Sequence, residues 1–181
     1  MGLVALPAAA RRAGLTMRLA WALGVAALLQ FAALAWWLRG LEPTVLALQW
    51  TFTPEGFAQV LQAWSDADRA RFLAHLPWDM ALLLTYAAFG LRLAAHAPAL
   101  HRVGPAARAL ARVALPAAAV FDAVENLLHA QLVPATGPGP AWLHALAGGS
   151  AALKWAGVAS CLLVWAWVIG AGGRRGVPGR H

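Results

Sequence analysis

Charge and cysteine are both scarce in this sequence. Only 12% of its 181 residues are Asp, Glu, Lys or Arg, against roughly 25% in a typical soluble domain. A chain so poor in charge cannot cover a water-soluble globule, which excludes an ordinary soluble enzyme and a nucleic-acid-binding domain. The single cysteine, Cys161, excludes an internal disulfide framework and any cysteine-based metal cluster. There is no Gly-rich phosphate loop, no Ser-His-Asp pattern and no H-E-x-x-H. Disorder is excluded from the other direction, because 61% of the residues are hydrophobic and the mean hydropathy is +0.63. What remains is a protein that uses a bilayer as its solvent.

Four segments are long and apolar enough to cross about 30 Å of hydrocarbon as helices of about 20 residues. They run over about Met17–Leu38, Trp78–Ala95, Ala109–Val133 and Leu146–Gly170. The expected class is therefore all-α, a four-helix transmembrane bundle. A cytoplasmic segment 1–16 precedes a single membrane domain 17–170, and a cytoplasmic tail 171–181 follows it. The apolar run after Arg11 and Arg12 is too long for the core of a cleaved signal, so a signal anchor is expected.

The long first loop, residues 39–77, carries helix signals of its own. Thr53-Pro54-Glu55 reads as N-cap, first helical position and first-turn acid. Phe57, Val60, Leu61 and Trp64 then share one face. Ser65 with Asp68 is a capping-box pair that starts a second short helix. Residues 54–75 are thus expected to form an amphipathic cap lying at the interface. The turn at 134–140 is uncharged and rich in Pro and Gly.

The basic residues set the orientation. Arg11, Arg12, Arg18, Arg92, Arg102, Arg108, Arg112, Arg174, Arg175 and Arg180 fall on one side, and Arg39, Arg69 and Arg71 on the other. The positive-inside rule puts both termini in the cytoplasm, which requires an even number of crossings. Most tryptophans fall near expected helix ends: Trp36, Trp37, Trp78 and Trp142 outside, Trp21, Trp165 and Trp167 inside. Trp155, inside the fourth helix, is the exception.

Asp122, Glu125, Asn126 and His129 stand at i, i+3, i+4 and i+7 and so share one face of the third helix. Each charge at mid-membrane costs about 2.5–3.5 kcal/mol on an insertion scale, so this face must turn away from lipid. Lys154 on the antiparallel fourth helix is the expected partner, with Ser150 one turn away and Gly148-Gly149 allowing close approach. Gln30 on the first helix, and Asp79 and Tyr86 on the second, reach the same outer half. Two carboxyls against one ammonium leave a charge over, so a shared proton is expected. These nine side chains together suggest a polar cavity open to the outer side.

The stretch Leu115-Pro116, then Phe121-Asp-Ala-Val-Glu-Asn126-Leu-Leu, then Leu153-Lys154-Trp155 resembles a group of small bacterial four-helix integral membrane proteins. Its marks are a D-x-x-E-N third helix and a lysine early in the fourth, and Trp78-Asp79 to Tyr86 is similar too. The resemblance spans most of residues 17–170. It implies the fold and the importance of the polar cluster, and no reaction.

Three functions follow from these residues. The first is binding of a small or lipid-like ligand in the polar cavity. The second is an embedded enzyme with Asp122 and Glu125 as acid and base and Lys154 as a further catalytic candidate. The third is a scaffold in which the cluster only sets helix register. No metal site and no cofactor is expected; the one haem candidate is a His129/His144 pair. His75, His96, His101 and His181 read as solvated interface residues, and Cys161 as a small core residue. The expected partners are the bilayer, the ligand and a second copy of the chain, in a bacterial inner membrane.

Overall fold

The computed structural model describes residues 8–137 and 139–173. Arg174, Arg175, Arg180 and His181, like residues 1–7 of the expected N-terminal segment, lie outside the described residues. Every regular element among the described residues is helical: α1 Ala8–Leu38, α2 Val45–Gln49, α3 Pro54–Ala63, α4 Asp66–His96, α5 Pro105–Leu132 and α6 Ala141–Gly173, with a 3-10 turn over Pro98–Arg102. Three of these are long and apolar enough to cross a membrane, over Gly14–Leu38, Asp66–His96 and Ala141–Gly170.

The expected third span is not among them. At 28 residues α5 is long enough, but Arg108, Arg112, Asp122 and Glu125 lower its average hydropathy. The average hides a division between faces. Asp122, Glu125, Asn126 and His129 are all buried, while Val113, Ala117, Val120, Leu127 and Ala130 point outward.

The capping signals act as expected. The Thr53 hydroxyl accepts from Gly56 N, and Ser65 and Asp68 close a reciprocal capping box. The helix that begins at Ser65, however, is not short. It continues through Pro77 into the second span, so α4 is one element of 31 residues. The loop also contains α2, whose N-cap is Thr44.

The long helices pair α1 with α4, α4 with α5, and α5 with α6. They thus form a row in which α5 lies between α4 and α6, and α1 packs on α4. Each contact has a point of closest approach at a glycine. Gly24 faces the Phe89 ring, Gly90 faces Leu115, and Gly157 faces the Ala114 carbonyl and Ala118. A methyl at Gly157 would lie 2.9 Å from that carbonyl oxygen, so only the missing side chain permits the approach. The expected roles of Gly148 and Gly149 are corrected here. Gly148 receives the Thr51 carbonyl and the Phe52 ring, and Gly149 faces open space.

Two kinds of core result. At the end covered by α2 and α3, Leu41, Leu48, Phe57, Val60 and Trp64 pack onto Phe72, Leu76, Leu128, Leu132 and Ala147. Leu41 precedes α2, Leu48 lies in it, Phe57 and Val60 belong to α3, and Trp64 caps α3. Toward the end that carries the 3-10 turn, Leu93, Ala94, Leu100, Ala111, Val164 and Val168 form one cluster, and Ala114, Leu115 and Cys161 another. Cys161 is a buried core residue, as expected.

Candidate functional site

The heptad spacing on α5 delivers four polar side chains to the groove between α4 and α6. Lys154 enters from α6. Its Nζ lies 3.0 Å from Asp122 Oδ1, to which it donates a hydrogen bond, and 2.6 Å from Glu125 Oε2. The Tyr86 hydroxyl donates from α4 to Asp122 Oδ2 at 3.0 Å. One lysine thus joins two acids one turn apart, and a tyrosine closes the far side. Glu125 is 0% exposed, and Asp122 and Lys154 are 4% and 7% exposed.

Asp79 joins through Asn126, which donates Nδ2 to Asp79 Oδ2 at 2.8 Å and has Met80 Sδ at 4.0 Å. His129 Nδ1 lies 3.7 Å from Glu125 Oε1, an oxygen with no hydrogen-bond partner among the described residues. Two buried carboxyls and one ammonium therefore share one low-dielectric region, where an unmatched charge is costly, and the half-buried Asp79 carboxyl stands at its edge.

Two of the nine expected residues stand apart from these bonds. Gln30 sits on α1, and its Oε1 is buried without a hydrogen-bond partner among the described residues. The row arrangement explains this, because α1 packs mainly on α4, away from the α5–α6 pair. Ser150 is buried on α6, one turn before Lys154. The expected polar cavity is also corrected. The charged groups contact one another directly, and the space beside them is apolar. That space is a cleft of about 270 Å³ lined by Leu73, Leu76, Pro77, Met80, Asn126, Leu127 and Ala130, between α4 and α5. Asn126 is its one polar lining residue.

Toward the cap, histidine and phenylalanine rings interleave. Phe57 lies 4.9 Å from His144 and 5.8 Å from His129 between ring centroids, so the haem candidates share a phenylalanine. Phe72 lies 4.7 Å from His75 and 5.7 Å from His129. His75 is buried, not solvated: its Nδ1 bonds the Phe72 carbonyl. His96 and His101 are exposed as expected. The buried histidine was legible in principle, since His75 follows Phe72 by three residues on α4 and shares its inward face. Gln49 was missed. Its Oε1 accepts from Trp155 Nε1 at 3.1 Å, which accounts for the tryptophan inside the fourth helix.

No group of three or more His, Cys, Asp or Glu among the described residues is arranged to hold a metal ion. Compared with protein-family models, curated proteins and solved structures, the chain matches none.

Proposed function

We propose that the chain is an integral membrane protein that crosses the bilayer four times with both termini cytoplasmic, and that it binds a lipid-like amphiphile beside its charged centre. The glycine contacts support the four crossings. Counting outward from Gly24–Phe89, Gly90–Leu115 and Gly157 set midway between its contacts Ala114 O and Ala118, about residues 21–38, 75–92, 113–130 and 143–160 share one layer. Each stretch is about 27 Å long, close to the thickness of hydrocarbon. Exposed Arg18, Arg92 and Arg112 then stand at or near its inner edge, and Trp36, Trp37, Trp78 and Trp142 near its outer edge. α5 belongs to this layer through its apolar outward face. A bacterial inner membrane fits this charge pattern.

One observation carries the ligand reading. The cleft of about 270 Å³ is lined by apolar side chains and by Asn126, which is bonded to Asp79. An acyl chain or other slender apolar group fits the walls, and a donor or cation at its head meets the carboxyl side. The charged groups of the centre would orient such a ligand. Native mass spectrometry of the purified protein tests this. A co-purifying amphiphile is expected, and Leu127→Trp, which fills the cleft, should displace it while the chain stays folded. Protein that carries no amphiphile, or one retained equally by the variant, would overturn the ligand reading.

A second reading has its own observation. Lys154 already engages both acids, at 3.0 and 2.6 Å, as a scaffold needs for fixing the α5–α6 register. That reading predicts no bound amphiphile and no effect of cleft filling beyond stability.

A further inference from the structure

The first loop was expected to lie on the membrane surface. Its contacts with α6 put part of it deeper. Thr51 O and the Phe52 ring rest on Gly148, and Gln49 accepts from Trp155. In the layer described above, Gly148 is about 7 Å below the outer edge, and the Trp155 backbone is about 18 Å below it. Helix side chains lean toward the N-terminus, which on α6 is the outer side, so the indole nitrogen sits somewhat higher than its backbone. The chain from Leu48 to Phe52 therefore runs about 7 Å below that edge where Thr51 and Phe52 meet Gly148, and its Gln49 side chain reaches deeper, to Trp155.

The backbone there is equipped for such a setting. Hydrocarbon tolerates non-helical backbone only where its polar groups are satisfied or covered by protein. Trp50 N donates to Leu46 O and Thr51 N to Leu48 O. The Thr51 hydroxyl donates to Leu48 O at 2.6 Å, and Thr51 O is covered by α6 at Gly148. The outward side chains match the surroundings. Leu46, Trp50 and Phe52 are apolar and each about half exposed. No Asp, Glu, Lys or Arg occurs from Pro43 to Pro54.

We propose that residues 45–52 form a re-entrant element that enters the outer leaflet beside α6 and presents Leu46, Trp50 and Phe52 to acyl chains. The inward side, Leu48 and Gln49, covers the α6 flank of the charged centre. The α4–α5 cleft is then the lateral route to that centre. This inference rests on the four crossings proposed above.

Spin-label accessibility tests it in the full-length protein, reconstituted in phosphatidylcholine vesicles with Cys161→Ala as background. Labels at Leu46→Cys and Phe52→Cys should collide with oxygen in preference to a water-soluble nickel chelate. Val120→Cys on the outward face of α5 marks lipid, and Asp66→Cys marks water. Nickel-accessible labels at Leu46 and Phe52, with Val120 still oxygen-accessible, would overturn the re-entrant element and leave the crossings standing. A nickel-accessible Val120 would overturn both. Should the labelled chains misfold, the fluorescence lost on Trp50→Phe serves instead. That component should be quenched by lipids brominated along the acyl chain, and quenching confined to water-soluble iodide would overturn the proposal.

Discussion

The two halves of the helical row are held together by different physics. In the half toward the 3-10 turn, Gly24, Gly90 and Gly157 admit Phe89, Leu115 and Ala118, and the buried residues around Cys161, Val164 and Val168 are apolar. Shape alone joins the helices there, because lipid is as apolar as leucine and no hydrophobic force remains between them. In the half toward the cap, Lys154, Asp122, Glu125, Tyr86, Asn126 and Asp79 join three helices by charge and hydrogen bonds, and a loop of two short helices covers them. Shape complementarity tolerates small losses, whereas a charge network in low dielectric fails when one member is removed.

Single substitutions should reproduce that contrast. The largest effect is expected for Lys154→Met. It strands Asp122 and Glu125, and removal of one partner from a buried ion pair costs about 3–5 kcal/mol. Val164→Ala in the apolar half should cost only about 1–2 kcal/mol for two lost methyl contacts. Equilibrium unfolding in mixed micelles measures both, and equal losses would erase the distinction. Next comes overpacking at the glycines. Gly157→Val should cost about 1–3 kcal/mol by forcing α6 from α5. Gly148→Ala should instead lift the loop from α6, raising hydrogen exchange over residues 45–57 while leaving α5 and α6 protected. The smallest expected effect is Trp155→Phe, which removes one hydrogen bond to Gln49 and should cost about 0.6 kcal/mol.

Much of this was legible in the sequence because the signals were local. The caps at Thr53 and Ser65 depend on residues three apart. The D-x-x-E-N spacing on α5 fixes one face whatever surrounds it, and no other long helix offered a buried lysine. The illegible parts depend on distances between elements. Nothing local says that Ser65 starts a helix able to continue through Pro77, since proline commonly ends one. Nothing local says that Gly148 serves the loop while Gly157 serves α5. Gln30 was grouped with the centre by depth alone, and depth does not say that α1 stands at the end of the row. The cavity was inferred from the number of polar groups, but Lys154 is long enough to reach both acids and close the space between them.

The most direct test of the account is a double-mutant cycle between Lys154 and Glu125. Lys154→Met, Glu125→Gln and the double variant are unfolded under identical conditions, and their free energies compared with the parent. The account predicts that the double variant loses less than the two single losses added, by a coupling of about 1–3 kcal/mol. Strict additivity would mean that these side chains do not meet inside the protein, and it would contradict the account.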